Sequence, residues 1–396
     1  MESIETPLKT QILLYSILFL LFAYWPPVLF GHGVIFVIQL ILARVALFLY
    51  GATINPKLLR LVMFLALMHL LAVLLGSYYL ELDFGNIITL FVSLTFVSAI
   101  PFTIFATYYT RFINFICLFS LITFSINCVL PSIFSFLPEV DATVRANNLI
   151  FSLVPVGMEA YLRNFGLWGE PGMFGVYIIL ATALELFYIK PINWKHIIVI
   201  VLTVISTFST ATYISFIILY IFFILSSDRV SRKYKYLIVS FTVIVVLMIS
   251  NFILMEGNHA YVFSKLTETD SEVGTTFERI RALETAWSLL WEYFPTGCGW
   301  GVYSKYLLDE TTILTVTPLN WFAVYGVIYG VVMNFGLYLG AKAIGKKSFL
   351  TLGIALAVYS VIFSQEVSSV YIAVIPIFYA FQSYFDTKEQ ALCDTM

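Results

Sequence analysis

Charged residues are scarce in this chain, and their scarcity is the first constraint on its class. Asp, Glu, Lys and Arg make up 11% of the 396 residues, whereas apolar residues make up 61%. Soluble globular domains are typically about 25% charged. The formal net charge of −2 argues against a nucleic-acid partner. The sequence therefore predicts an integral membrane protein.

Cysteine and histidine are also sparse, with four residues of each. None of them falls with Asp or Glu at the spacing of a metal site. No glycine-rich phosphate loop precedes a helix in a soluble domain. Cys128 and Cys298 could form a disulfide bridge, but nothing in their spacing requires one. The sequence predicts no metal and no cofactor.

Long apolar runs occupy most of the chain. A bilayer core about 30 Å thick is crossed by about 20 helical residues. Twelve spans are predicted, at 11–30, 33–51, 58–77, 86–108, 111–130, 173–189, 196–210, 212–226, 236–255, 319–341, 348–364 and 368–385. The seventh and eighth are predicted to form a hairpin that turns at the Ser/Thr cluster from Ser206 to Thr212, with one tilted helix as the alternative. The predicted fold class is an all-α polytopic membrane protein, with 1–396 as one integral membrane domain.

The positions of Lys and Arg predict the orientation. With a cytoplasmic N-terminus, most of these 21 residues fall on cytoplasmic segments, the asymmetry that membrane insertion favours. Both termini are then cytoplasmic. Two long outer segments follow, a first loop at 131–172 and a second loop at 256–318, and we expect them to contain amphipathic helices and the site chemistry. The outward cations are Arg145, Arg163, Lys265, Arg279, Arg281 and Lys305.

The second loop contains a predicted amphipathic helix. Thr275 and Glu278 have the spacing of a capping box, and Pro295 ends the segment. An apolar stripe recurs at spacings of three and four, which predicts a helix lying on the membrane surface or on the transmembrane bundle. The stripe comprises Phe277, Ile280, Glu284, Trp287, Trp291 and Phe294, and it is apolar except for Glu284 at its edge.

Two arginines of this helix differ in their neighbours. Arg281 has Glu278 three residues before it and Glu284 three after it, so a local ion pair could satisfy it. Arg279 has no carboxylate at the neighbouring helical positions. A guanidinium without a local partner can bind phosphate oxygens in pairs, although a solvated arginine is the alternative reading.

The first loop carries the other candidate residues. Glu159 precedes Arg163 by four residues, so a helical ion pair is the simplest reading there. Arg145 has the same kind of partner in Asp141. Glu170 precedes a span, where the helix dipole favours negative charge. The functional alternative is that Glu170 acts as a general base on a hydroxyl group.

Tryptophans are concentrated on the predicted outer side. They include Trp168 in the first loop and Trp300 in the second. An interfacial aromatic belt is their usual cause. Flat aromatic faces are also the surfaces on which sugar rings stack.

The segment from Arg163 to Gly172, RNFGLWGEPG, resembles the signature of the bacterial O-antigen polymerases (Wzy-type). That family lies within the O-antigen polymerase and ligase superfamily, a glycosyltransferase C-like group. Arg279 and Arg281, followed by Trp287 and the FPxGxGxG pattern ending at Gly301, resemble the large outer loop of that superfamily. The resemblance covers roughly residues 145–340.

The resemblance implies a polymerase of the bacterial inner membrane. Such a protein joins undecaprenyl-pyrophosphate-linked oligosaccharide repeat units at the periplasmic face, in O-antigen or related lipopolysaccharide synthesis, without a metal. Its implied partners are that lipid-linked substrate, membrane lipid and a chain-length regulator. The implied catalytic residues are Glu170, which would bind or activate the acceptor hydroxyl, Arg163 and Arg279. The implied substrate-binding residues are Arg145, Arg163, Arg279, Arg281, Trp168 and Trp300.

Two departures from the family pattern matter. Ligases of the superfamily typically carry a histidine before the span that follows the Gly-rich turn, and 315–321 has none, which favours a polymerase over an O-antigen ligase. Neither Arg163 nor Arg279 is followed by ten residues and a glycine, a spacing described for some polymerases. The individual role of each arginine therefore stays open.

A transporter or flippase for lipid-linked oligosaccharides is the alternative from another class. Transport requires polar residues along a path through the bilayer. The spans offer scattered ones, chiefly Gln39, Arg44, His69 and Glu185.

Overall fold

The structure is a computed structural model that describes residues 8–23, 32–76, 80–130, 133–134, 136–138, 146–155, 163–227, 275–310, 316–368 and 370–393. These residues form fourteen α-helices, one π-helical turn at Leu184–Tyr188 and a β-hairpin. The helices are α1 (Leu8–Phe22), α2 (His32–Leu49), α3 (Pro56–Gly76), α4 (Leu80–Ala99), α5 (Phe102–Val129), α6 (Pro171–Ala183), α7 (Trp194–Thr207), α8 (Thr210–Ser226), α9 (Thr275–Glu292), α10 (Gly299–Glu310), α11 (Thr317–Tyr325), α12 (Val327–Gly345), α13 (Ser348–Phe363) and α14 (Tyr371–Cys393).

The helices have the length and composition of a membrane protein. Among the described residues, four stretches are long and apolar enough to cross a bilayer: Pro56–Leu75, Phe102–Val129, Pro171–Tyr188 and Val327–Gly345. Six further apolar helices are shorter. Large apolar side chains such as Phe48 are exposed on the helices, as lipid-facing residues would be. The membrane class is therefore confirmed, whereas the count of twelve stays a prediction, and the span predicted at 236–255 lies outside the described residues.

The turn between the fourth and fifth predicted spans was placed wrongly. The prediction put it between 108 and 111, next to Arg111, whereas the chain turns at Ile100 and Pro101. Proline has no N–H to donate and suits a helix start. Arg111 lies inside α5 with its guanidinium 5.8 Å from the centre of the Tyr108 ring.

The tenth predicted span, 319–341, is two helices that meet at Gly326. This glycine has a φ of +91°, and an added Cβ would lie 2.7 Å from the Thr296 carbonyl oxygen. The backbone of the second loop enters the break: the Val327 N–H donates to the Pro295 carbonyl at 3.0 Å, and the Cys298 N–H donates to the Ala323 carbonyl at 2.9 Å. The FPxGxGxG segment is thus held against the helix break by backbone hydrogen bonds.

The predicted hairpin of the seventh and eighth spans is confirmed as two helices. Helix α7 ends at Thr207, Phe208 adopts the left-handed conformation with a φ of +47°, and α8 begins at Thr210. A Cβ on Gly175 of α6 would overlap Thr212 of α8. Small residues at such contacts let membrane helices approach closely.

A short β-hairpin departs from the all-α prediction. Strands β1 (Ala146–Asn148) and β2 (Leu153–Pro155) pair antiparallel, with Asn147 opposite Val154. The Thr123 hydroxyl donates to the Ser152 hydroxyl at 3.0 Å, which ties the first loop to the end of α5.

Candidate functional site

Arg163 is bonded to the tip of the α7–α8 hairpin. Its Nε donates to the Thr207 carbonyl at 3.1 Å, and its Nη2 donates to the Phe208 carbonyl at 2.8 Å. The last carbonyls of a helix lack partners within the helix, and a cation there is also favoured by the helix dipole. Arg163 therefore has a structural role at this tip, and its role toward pyrophosphate stays a prediction.

Asn164, the next residue, is 2% exposed and fully hydrogen-bonded. Its amide nitrogen donates to the hydroxyls of Ser120 and Ser206 at 3.1 and 3.0 Å, and its side-chain oxygen accepts from the Gly166 N–H at 3.0 Å. These bonds join the first loop to α5 and α7. Both Arg163 and Asn164, the first two residues of RNFG, thus make hydrogen bonds that hold the first loop in place.

Trp168 does not lie on a surface. The side chain is 2% exposed, and its ring stacks on Phe174 and Tyr177 with centres 5.0 and 4.1 Å apart. The prediction of Trp168 as a sugar-stacking residue is not supported, because both neighbours are core residues. Phe174 and Tyr177 follow the motif, and sequence alone could not distinguish a core tryptophan from an interfacial one.

Glu170 is exposed and precedes α6 with extended backbone, φ −143° and ψ 136°. Its side chain makes no capping hydrogen bond. Instead its Oε1 accepts from the Gln365 Nε2 at 3.3 Å. A Cβ on Gly172 would overlap that same glutamine side chain, so the glycine lets the loop between α13 and α14 approach. Glu170 is thereby joined to a segment that the sequence analysis did not single out.

Glu366, the residue after Gln365, is a carboxyl group with a raised pKa. It is partly buried, its Oε1 accepts from the Ser368 N–H at 2.8 Å, and its Oε2 accepts from the Asn320 amide nitrogen. Burial raises the pKa of Glu366 to about 7, and the hydrogen bonds from Ser368 and Asn320 oppose part of that rise. A carboxyl group with this pKa can exchange a proton near neutral pH.

Tyr303 of α10 completes the surroundings of this carboxyl group. Its phenol group hydrogen-bonds to Asn320 and lies near Glu366. Burial, together with the charge of Glu366, holds the pKa of Tyr303 well above its usual value. Tyr303 therefore remains protonated at neutral pH and can act only as a neutral hydrogen-bonding group.

Besides the bond from Asn320, other hydrogen bonds fix the loop that carries Glu366 to α11. The Thr317 hydroxyl donates to the Gln365 carbonyl at 2.6 Å and accepts from the Val367 N–H at 2.7 Å. The Trp321 indole N–H donates to the Ser368 carbonyl at 2.8 Å. We name the set Tyr303, Asn320, Gln365, Glu366 and Glu170 the carboxyl cluster. It is preorganised, because its loop has little freedom to move.

Arg279 lies on the face of α9 that packs against the rest of the protein. Ala282, Ala286 and Leu289 follow it at helical spacing and are buried, and α9 packs on α10 and α11. The Arg279 Nε is buried and has no hydrogen-bond partner among the described residues. Arg279 is therefore on a helix that packs against α11, the helix that carries Asn320.

The apolar stripe of the same helix is exposed. Ile280, Trp287, Trp291 and Phe294 are each about half exposed, and the rings of Trp291 and Phe294 stack with centres 5.8 Å apart. The stripe therefore does not pack on the bundle, and the membrane surface is the reading that the structure favours.

The remaining predicted residues are dispersed. Arg281 is exposed and lines a separate cleft with Glu284, Glu292 and Tyr306. Trp300 is half-buried, with its ring centre 5.4 Å from that of Tyr303. Arg145 lies outside the described residues. The structure thus joins Glu170 to Gln365, the neighbour of Glu366, and places Arg279 on a helix that packs against α11, while it puts Arg163 and Arg281 elsewhere.

Within the described residues, no group of three or more His, Cys, Asp or Glu side chains is arranged to hold a metal ion. No family model matches the chain, and no curated protein matches it. The family resemblance accordingly rests on the short motifs from Arg163 to Gly172 and from Arg279 to Gly301.

Proposed function

We propose that the protein is a membrane glycosyltransferase that polymerises lipid-linked oligosaccharide repeat units, as an O-antigen polymerase or a related polysaccharide polymerase. The observation that carries this proposal is the carboxyl cluster at the junction of both long loops. Glycosyl transfer to a hydroxyl requires a base for the hydroxyl proton. Glu366 is the residue whose pKa and fixed geometry suit that task.

The proposed reaction forms one glycosidic bond, breaks one bond to pyrophosphate and transfers one proton. A sugar hydroxyl of the incoming unit attacks the anomeric carbon of the growing chain, and the bond from that carbon to the pyrophosphate oxygen breaks. The hydroxyl proton passes to Glu366. Glu170 binds the acceptor sugar, since it hydrogen-bonds to Gln365, the residue that precedes Glu366. Undecaprenyl pyrophosphate leaves with its negative charge.

Arg279 is proposed to bind the departing pyrophosphate. Its Nε has no hydrogen-bond partner within the described part of the chain, and a guanidinium matches phosphate oxygens geometrically. Charge stabilisation of a leaving group by a fixed cation needs no metal. Arg281, which faces a cleft with two carboxylates, is proposed to have a lesser part.

The polar residues within the helices give little support to transport. Gln39 donates to the Leu20 carbonyl at 2.7 Å and accepts from the Tyr371 hydroxyl at 2.6 Å. Glu185 accepts from the Asn193 N–H at 2.8 Å. His69 packs against the Tyr325 ring. Each of these groups is bonded to or packed against other protein groups. This favours an enzyme over a transporter that would need polar residues along a substrate path.

The test is reconstitution. The purified protein in lipid vesicles receives undecaprenyl-pyrophosphate-linked repeat units without nucleotide sugar or metal, and the products are separated by size. We expect a ladder of longer lipid-linked glycans. Transfer of glycan only when lipid A-core is added would establish a ligase instead. Passage of the intact substrate across the vesicle membrane without any new linkage would establish a transporter.

A matched pair of variants makes this test specific. Glu366→Gln keeps the shape of the side chain but cannot accept the proton, whereas Glu292→Gln changes an exposed carboxylate of α9. We expect the ladder to be lost in the first variant and retained in the second. A full ladder from Glu366→Gln would remove Glu366 from the mechanism and leave Glu170 as the candidate base.

A further inference from the structure

A large cavity lies at the opposite end of α6 from the carboxyl cluster. Its volume is about 740 Å³, and it is bounded by the first three turns of α5 and by the segment from Glu185 to His196. The α6 helix and its π-helical turn together contain 18 residues, about 27 Å at 1.5 Å per residue. The cavity is therefore remote from the proposed reaction. It lies on the face that the charge pattern predicts to be cytoplasmic.

Cations line both walls of this cavity. Arg111 projects from α5, and Lys190 and Lys195 come from the opposite segment. Among the described residues the Lys190 Nζ donates once, to the Leu186 carbonyl at 3.1 Å, and an ammonium group has three N–H donors in all. No partner of the Lys195 ammonium group lies within the described ranges. Arg111 is held over the Tyr108 ring and hydrogen-bonds to Tyr15, so its position is fixed in advance.

The one carboxylate among the lining residues is already used by the protein. Glu185 is 2% exposed, and its Oε1 accepts from the Asn193 N–H. Its Oε2 lies 3.5 Å from the His196 Nδ1. Glu185 is therefore held by the wall of the cavity, and three cations against one carboxylate leave the described lining with an excess of positive charge.

The rest of the lining is suited to the apolar part of a lipid. Ile104, Tyr108, Ile189 and Trp194 lie alongside the cations, and Trp194 is 57% exposed. A tryptophan beside basic residues at a helix end is typical of the level of lipid head groups. Basic pockets between membrane helices on the cytoplasmic side can bind anionic head groups.

We propose that this cavity binds the phosphate of an anionic phospholipid from the adjacent leaflet, with Arg111, Lys190 and Lys195 as its ligands. Two sources could supply a phosphate group, a phospholipid or free inorganic phosphate, and the apolar lining favours the lipid. The proposal is independent of the proposed polymerase activity. Isolated surface lysines would also follow the positive-inside pattern, and the test separates that reading from a site.

The test measures lipid binding to the full-length protein. Protein purified in a neutral detergent is titrated with phosphatidylglycerol or phosphatidylcholine, and bound lipid is counted by native mass spectrometry. We expect phosphatidylglycerol to bind more tightly than phosphatidylcholine. Each removed cation should weaken it about fivefold, which corresponds to about 1 kcal/mol. The pair Lys190→Gln and Lys195→Gln should therefore weaken it about 25-fold.

The control pair is Lys57→Gln and Lys347→Gln, which removes two cations of the same predicted face outside the cavity. Equal losses from the two pairs would mean diffuse attraction to the membrane and would overturn the proposal. Because Lys190 also bonds to Leu186, Lys195→Gln alone is the safer variant, and an unchanged affinity there would count against the site too. Competition by millimolar inorganic phosphate would identify free phosphate as the ligand and contradict the lipid assignment.

Discussion

In the first long loop Arg163 and Asn164 are bonded to the protein itself, whereas in the second the Arg279 Nε has no partner within the described part of the chain. Arg163 and Asn164 are bonded to the α7–α8 hairpin. Arg279 has a buried Nε without a partner among the described residues. The comparison teaches that a motif such as RNFG can have structural hydrogen bonds as its main role. The proposed reactive groups, Glu366 and Arg279, lie on other segments of the chain.

The largest expected effect is at Glu366. If this residue is the base, Glu366→Gln should reduce polymer formation about 10²- to 10⁴-fold, the usual contribution of a general base. In the native protein the initial rate should fall about tenfold per pH unit below the pKa of about 7 and level off above it. Rates from pH 5.5 to 8.5 check this. A rate that is flat across pH 7 would contradict the assignment.

Arg279→Ala is expected to have the next largest effect. Loss of a fixed charge that stabilises a leaving group costs about 10²- to 10³-fold in rate. The melting temperature should change little, because no described hydrogen bond is lost. Lys305→Ala, an exposed cation on α10, is the control. A melting temperature that falls together with activity would make Arg279 a scaffold residue like Arg163 and end the contrast between the loops.

Asn164→Ala should have the opposite effect: it should lower stability and leave the activity of the folded protein near normal. The substitution leaves the buried Ser120 and Ser206 hydroxyls without their shared partner, at a cost of about 1–3 kcal/mol in the free energy of unfolding. Thermal unfolding in detergent measures the loss. Activity per folded molecule should stay near normal at low temperature. A soluble, stable Asn164→Ala protein with no activity would instead place this motif in the reaction.

The last expected effect is on the free energy of unfolding as a function of pH. The pKa of Glu366 is about 7 in the folded protein against an ordinary value of 4.5, so the folded state holds the proton more tightly. The free energy of unfolding should therefore fall as the pH rises from about 4.5 to 7. Glu366→Gln should flatten that part of the curve. This readout does not require any substrate.

The sequence predicted those features that depend on local chemistry. The α7–α8 hairpin follows from a Ser/Thr cluster that interrupts an apolar run. The contrast between Arg279 and Arg281 follows from which carboxylates lie three residues away. Each inference needs only neighbours within one or two helical turns, and such patterns are visible in a single chain.

Features that depend on distant partners were missed. The break at Gly326 exists because the Thr296 carbonyl occupies the space of a side chain, and hydropathy records only a continuous apolar run. Glu366 has its raised pKa because segments distant in sequence bury it, and the hydrogen bond from Asn320 offsets only part of that rise. The usable signal was a carboxylate in the short polar interruption 364–370, which reads as an ordinary turn.

The break at Gly326 also affects how deep the loop of Glu366 lies relative to the bilayer. Helix α12 alone has 19 residues and a length of about 28 Å, close to the hydrocarbon thickness of about 30 Å. If α12 crosses the bilayer by itself, α11 lies at the level of the lipid phosphates, and so does the loop of Glu366 that is bonded to it. A pyrophosphate carried by a membrane lipid would then meet the carboxyl cluster at its own resting height, without being lifted from the bilayer.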